Sequence, residues 1–264
     1  MPSNSSKSFD VVAVPTFDDN YVWLIHDGTH AAVVDPGEAA PVAEQLKARR
    51  LTLTAILLTH RHDDHIGGVN ALLASSPVPV YGPRNDPIDA VTRRVSQGDT
   101  VELQEMGVAF DVLDVPGHTR GHIAFVERTQ GWLFSGDMLF GAGCGRMFEG
   151  TPEMMVASLS KFAALPDDTL VFSGHEYTLS NLRFAQEIEP TNADITARMR
   201  ADKVKRDQGL PTVPSTLRLE KATNPFLRNA EPAVIERMLA LGRISRQDPT
   251  ETFAALREWK NTYR

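Results

Sequence analysis

Residues 57–68, LLTHRHDDHIGG, crowd three histidines and two aspartates into six consecutive positions directly behind an apolar run. His60, His62, Asp64 and His65 form an H-x-H-x-D-H pattern of side chains that ligate divalent cations. A solvated charged loop would tolerate the same residues, so the rest of the chain has to decide between the two readings. A turn at a strand end can aim alternate residues the same way. His60 and His62 then suit one ion, while Asp64 and His65, swung round by a following helix, suit a second. Arg61 and Asp63 are left as spacers.

Two ions need more ligands than one loop offers, because catalytic sites of the zinc type take about three protein ligands each plus water. The chain supplies three further ligand-type residues, each beside a glycine and directly behind an apolar strand: His118 in VPGH, Asp137 in FSGD and His175 in FSGH. Their shared context, more than any one of them, favours a binuclear site. Two dications a few ångströms apart lower the pKa of a water between them towards neutrality, giving a nucleophile without a matching general base. A carboxylate such as Asp137 suits the bridging place, since it has two oxygens and a charge that offsets the repulsion between cations. Three histidines remain. His26 and His30 flank the Asp27-Gly28 turn and are expected at the surface, and His122 is expected to be structural.

The elements that must present these residues follow from period and punctuation. FDVVAVP, YVWLI and HAAVVD alternate with turn signals, and the last two read as adjacent strands joined by a tight turn. PVAEQLKARR has helical spacing, with Val42, Ala43 and Leu46 on one face, and LTAILL returns to a buried strand. The ligand-rich stretch therefore leaves a strand and enters a helix, HIGGVNALLAS. VPVYG, TVELQEM, VAFDVLDVPGH, HIAFVER, GWLFSGD and TLVFSGH read as further strands. TPEMMVASLSKFAALP reads as a helix with Thr151 at its N-cap and Pro at the first helical position. Beyond residue 175 the strand signal fades into helical segments, LRFAQEIE, ADITARMRADKVKRDQ, AVIERMLALG and DPTETFAALREWKN. The pattern predicts a sandwich of two sheets with helices outside, residues 1–175, followed by a small helical domain, residues 176–264.

Composition narrows the function classes. The single cysteine, Cys144, excludes an internal disulfide and a cysteine-rich zinc site, and it fits a reducing compartment. No apolar run approaches the roughly 20 residues of a membrane helix. The start, MPSNSSKSFD, reads as a polar tail without an export signal, so a cytoplasmic location is expected. A formal charge of −7 argues against general nucleic-acid binding. The charge is uneven: residues 1–180 hold 23 acids against 12 Lys and Arg, residues 181–264 hold 11 against 15. The basic part could receive an anionic ligand, although most of RMRADKVKR reads as a solvated helix face.

The block T-H-R-H-D-D-H, with His118, Asp137 and His175 downstream, resembles the metallo-β-lactamase superfamily, whose αββα fold has the segment order read above. PTFDDNYVWLI, DPG, GCGR, SGHEYTLSNLRFA, PTVPST, NPF and LREWK narrow the resemblance to glyoxalase II, the hydroxyacylglutathione hydrolases, from about residue 15 to residue 260. That resemblance implies two divalent metals, Zn first and Fe or Mn compatible. His60, His62 and His118 would hold one, Asp64, His65 and His175 the other, with Asp137 bridging. It also implies S-D-lactoylglutathione as substrate, cleaved to D-lactate and glutathione by hydroxide held between the metals, with Asp64 orienting it, as the second step of methylglyoxal detoxification. No nucleic acid, membrane or obligate protein partner is implied.

By the same resemblance Arg146, Phe148, Tyr177, Arg257 and Lys260 contact glutathione. Arg257 and Lys260 share one helix face; taken alone, without the resemblance, the pair reads first as a solvated surface. The chain departs from many relatives in having Arg146 for Lys, Phe148 for Tyr and Asn261 for Asp, changes that leave the metal residues untouched. Within the superfamily the alternative is a persulfide dioxygenase with one iron, against which the long helical tail counts. Outside enzymology the alternative is a metal-binding module without turnover.

Overall fold

The computed structural model describes residues 8–263; most of the polar N-terminal tail read from sequence, residues 1–7, lies outside them. The first sheet runs in chain order through β1 (Asp10–Thr16), β2 (Asn20–His26), β3 (His30–Val34), β4 (Thr52–Leu57), β5 (Val80–Pro83) and β6 (Arg93–Val95). Its connections include α1 (Ala39–Arg49), α2 (Asp63–Ile66) and α3 (Val69–Ser75). The second sheet is built from β7 (Thr100–Leu103), β8 (Val108–Asp114), β9 (Ile123–Glu127) and β10 (Trp132–Gly136). A short ribbon, β11 (Leu139–Phe140) with β12 (Gly143–Cys144), then leads to α4 (Pro152–Ala163) and β13 (Leu170–Ser173). The chain continues through α5 (Thr178–Ile188), α6 (Ala193–Asp207), β14 (Ser215–Thr216), α7 (Leu217–Thr223), α8 (Pro232–Ala240) and α9 (Pro249–Thr262). The spatial order of the second sheet is β14-β13-β10-β9-β8-β7.

The layers are helix, sheet, sheet, helix, as the strand and helix patterns predict. Trp23, Ile25 and Leu57 of the first sheet meet Phe110, Phe125, Phe134 and Phe172 of the second in one buried cluster. Phe134 and Phe172 stack with centroids 4.8 Å apart, and the Trp23 indole donates to the Ser173 carbonyl at 2.9 Å, locking the sheets together. Each fully buried ring of this kind contributes about 1.5–3 kcal/mol. On the outer face of the first sheet, Val42, Val69 and Leu72 pack on Leu24, Val33 and Ile56. On that of the second, Met155, Leu159, Phe162, Phe184 and Phe253 cover Ala124, Leu133 and Val171. Both faces of β2 are therefore covered, and every residue of NYVWLIH is buried.

Four expectations change. HIGGVNALLAS does not form one helix: it breaks at Gly67-Gly68, where a Cβ on Gly68 would lie 2.6 Å from the Ala39 nitrogen and 2.7 Å from the Pro36 oxygen. The break lets this segment pack directly on the DPG loop. Ala43 faces solvent, while Val42 is buried. His26 is buried, because β2 remains central up to its last residue; His30 is half-buried. The two-residue strand β14 pairs with β13, so the C-terminal segment also contributes an edge to the second sheet. Thr151 caps α4 as expected, its hydroxyl accepting from the Met154 N–H, with Pro152 in the first turn.

Candidate metal centre and substrate cleft

Ligand-type side chains arrive at one end of the sandwich from four strand ends. β4 leads to His60, β8 to His118, β10 to Asp137 and β13 to His175, with Asp64 and His65 on the short helix α2. The imidazole atoms converge: His62 Nδ1 lies 3.1 Å from His60 Nε2 and 2.9 Å from His118 Nε2. His175 Nε2 and His65 Nε2 lie 3.4 and 3.5 Å from Asp64 Oδ2. Asp137 stands between the two groups, with Oδ1 3.3 Å from His65 Nε2 and Oδ2 3.3 and 3.4 Å from His118 and His175 Nε2.

Two sets of three, His60 with His62 and His118, and Asp64 with His65 and His175, each bring their ligand atoms within 4.8 Å of one another. A third set, Asp35 with His60 and His65, is equally compact but uses the rear of both rings. There Asp35 Oδ2 lies 3.1 Å from His65 Nδ1 and accepts from the Thr59 hydroxyl at 2.7 Å, while that hydroxyl lies 3.0 Å from His60 Nδ1. Those atoms are engaged in hydrogen bonds. His65 Nε2 and Asp137 Oδ1 face the cluster buried and 3.3 Å apart, without hydrogen-bond geometry between them, as donors gathered round a cation would be.

Behind the cluster, contacts that the sequence reading missed fix four of the five rings. Asp35 and Thr59 hold His65 and His60 as described, the Arg146 carbonyl lies 2.8 Å from His118 Nδ1, and Asp19 Oδ1 lies 2.8 Å from His175 Nδ1. Asn20 donates to Asp64 Oδ2 at 2.9 Å. Partners of this kind set tautomer and ring direction for metal ligands. Asp19, Asn20 and Asp35 stand in the motifs FDDNY and DPG, but only the fold brings them to the rings. Asp35 also takes a left-handed backbone, φ 52°, which aspartate tolerates better than most residues. Arg61 is more than a spacer: it pairs with Glu149 and reaches Asp86 at 3.7 Å, tying the ligand loop to the segment after β12. Asp63 is exposed in the first turn of α2.

The electrostatics of the cluster are mutual. Burial alone would raise the Asp137 carboxyl, yet His65 and His175 hold it well below the carboxylate range. Burial alone would lower His175, yet Asp137 and Asp64 lift it to about 10. Burial, with His65 and His122 nearby, pushes His60 well below the usual imidazole value.

A cleft of about 760 Å³ opens from this cluster. It is lined by His62, Asp64, His118, Asp137 and His175 and also by Arg146, Phe148, Tyr177, Arg257 and Lys260. Phe148 is exposed and stands edge-on to His118, while Tyr177 stacks on His175 with centroids 4.7 Å apart. Arg257 is buried, its guanidinium donating to the Cys144 carbonyl at 2.7 Å and to Asn261 Oδ1 at 3.1 Å. Lys260 lies beside the Ser180 hydroxyl at 3.3 Å, and burial, with Arg257, Arg183 and Arg146 nearby, pushes it down to about 8. One cavity thus brings the His and Asp cluster together with three cationic side chains, Arg146, Arg257 and Lys260.

The sequence model described as Metallo-beta-lactamase superfamily matches residues 15–175, and that described as Hydroxyacylglutathione hydrolase C-terminus matches residues 176–263. A hydroxyacylglutathione hydrolase of Alkalilimnicola ehrlichii is 53% identical over 254 residues, covering 96% of this chain and 98% of that protein. One of Cupriavidus metallidurans is 51% identical over 264 residues, covering 96% and 99%. Among solved structures, ETHE1 from Myxococcus xanthus superposes with a TM-score of 0.63 at 24% identity over 97% of this chain and all of that one, a likeness of fold. TTHA1623, solved in a di-iron-bound form, superposes with a TM-score of 0.53 at 30% identity over 63% of this chain and 91% of that one. With both sequence models matched end to end and relatives above half identical over nearly their full length, the chain belongs to the hydroxyacylglutathione hydrolases of the metallo-beta-lactamase superfamily.

Proposed function

We propose that the chain hydrolyses S-D-lactoylglutathione and related S-2-hydroxyacylglutathiones to the hydroxy acid and glutathione. The observation that carries this is the single cleft lined both by convergent His and Asp residues and by the cationic side chains Arg146, Arg257 and Lys260. A thioester of a doubly carboxylated tripeptide needs both kinds of group. The relatives' name supports the same reading.

His60, His62 and His118 would hold one divalent cation, Asp64, His65 and His175 a second, and Asp137 would serve both. The convergence of the ligand atoms of each set within 4.8 Å supports this assignment. Zn is the metal proposed, with Fe and Mn compatible with the same donors. When bound, the two cations supply Lewis acidity at the thioester carbonyl and bring the pKa of water towards neutrality. Asp64, steadied by Asn20, orients the attacking oxygen. Arg146, Arg257 and Lys260 grip the glutathione carboxylates, and Tyr177 and Phe148 wall the thioester. The leaving thiol has a pKa of about 8.5, so it departs without a dedicated acid.

The same proposal divides the chain into a catalytic domain, residues 1–175, and a glutathione-binding domain, residues 176–264. It also places the protein in the cytoplasm; no described helix is long and apolar enough to cross a membrane. Incubation with S-D-lactoylglutathione, following thioester absorbance with enzymatic assay of D-lactate, should yield D-lactate and free thiol in equal amounts. Oxygen uptake without thioester loss would instead identify a dioxygenase.

A further inference from the structure

His122 lies fully buried beside the metal-holding sets without belonging to any of them. Its ring stacks on His60, with centroids 4.6 Å apart and planes 17° apart. Its Nε2 accepts the backbone N–H of Asp137 at 3.1 Å, which puts the ring proton on Nδ1, itself buried without a hydrogen-bond partner.

The backbone around that hydrogen bond is unusual. The register of β10 against β13 shifts between Phe134 and Gly136, and Gly136 takes a left-handed φ of +49°. A Cβ there would lie 2.7 Å from His122 Cε1 and 2.3 Å from the Thr59 hydroxyl. The strand thus leaves its ladder by a bend fitted against the His122 ring, and the next residue is Asp137. Its N–H is deprived of a ladder partner by the bend, and a buried N–H left unpaired is costly. The His122 segment is itself tied to the other ligand-bearing turns: the Ile123 N–H donates to the Thr59 carbonyl at 2.9 Å, and the Val115 N–H to the His122 carbonyl at 2.8 Å.

We propose that His122 is a positioning residue for Asp137: by accepting the Asp137 N–H and filling the space beside Gly136, it fixes the bend that aims the carboxylate at both metal sites. This deepens the reading of Asp137 as the shared ligand. Two variants separate the roles of the ring. His122→Phe keeps the stacking shape and loses the acceptor, whereas His122→Gln places an amide oxygen near the Nε2 position.

Each variant is titrated with Zn after chelation, and kcat and KM are measured on S-D-lactoylglutathione. His122→Phe should bind the weaker-held metal about 10–100-fold less tightly. Its kcat should fall at limiting metal with KM changed by less than about twofold, and His122→Gln should recover most of the affinity. Unchanged metal affinity in His122→Phe, with only a lower Tm, would overturn the proposal, as would a Gln variant no better than Phe. If the Phe variant does not fold, a long-range proton–nitrogen NMR correlation on the zinc-loaded wild-type protein decides: Nδ1–H supports the proposal and Nε2–H overturns it. The metal titration reads independently of the substrate, so a protein inactive on the thioester would refute the proposed function while leaving the role of His122 testable.

Discussion

Four of the five rings of the cluster are held from behind, His60 by Thr59, His65 by Asp35, His118 by the Arg146 carbonyl and His175 by Asp19, while His65 Nε2 and Asp137 Oδ1 face each other at the front 3.3 Å apart. That division predicts unequal mutational effects. Asp137→Ala should lower kcat by about 1000-fold, equivalent to ~4 kcal/mol of transition-state stabilisation, and should reduce bound metal measured by elemental analysis. Lys260→Ala should chiefly raise KM, because Lys260 lines the cleft and belongs to neither set of candidate ligands. Its pKa is pushed down to about 8, so it is cationic below that pH and neutral above it. kcat/KM should accordingly decline as pH rises through about 8 and stay flat in Lys260→Arg, since a guanidinium remains charged there. An equal decline in both proteins would remove Lys260 from carboxylate binding. The sequence displayed the side chains facing the cluster because their types and glycine-flanked strand ends are local features. Asp19, Asn20 and Thr59 were invisible, since their roles depend on which strands lie side by side.

At the scale of elements, the strands announced themselves by apolar runs between Gly, Pro and Asp punctuation, and the two-layer packing followed from runs such as NYVWLI with no polar face. Short elements escaped. β14 has two residues and no period to detect, and Gly67-Gly68 reads as tolerable within a helix until the DPG loop is found against it. The helices after residue 176 are joined by a buried ionic knot that periodicity also could not reveal. Arg198 of α6 pairs with Asp202 at 3.2 Å and with Glu220 of α7 at 2.6 Å, and Glu220 also accepts from the Ala142 N–H at 2.8 Å, beside β11 and β12. Removing Glu220 takes one of the two carboxylates from the buried Arg198, which keeps Asp202, and leaves the Ala142 N–H without its acceptor. Glu220→Ala should cost about 3–5 kcal/mol in urea unfolding. Lys203→Ala, which breaks an exposed pair with Asp207, should change stability by less than about 1 kcal/mol. Comparable effects of the two would mean that the knot does not hold α6 and α7 to the ribbon.

Across the whole molecule, the charge asymmetry of the sequence takes on a spatial meaning. Asp64 and Asp137 of the acidic N-terminal part and Arg257 and Lys260 of the basic C-terminal part line one cleft. Neither part contains the cleft alone. A binuclear thioester hydrolase must show metal count and turnover rising together. Metal-free protein is titrated with Zn while S-D-lactoylglutathione cleavage is followed at each point. Binding should saturate at two ions per chain, with activity reaching its plateau only as the second is bound. Protein fully loaded with two ions and showing no loss of thioester would contradict the account.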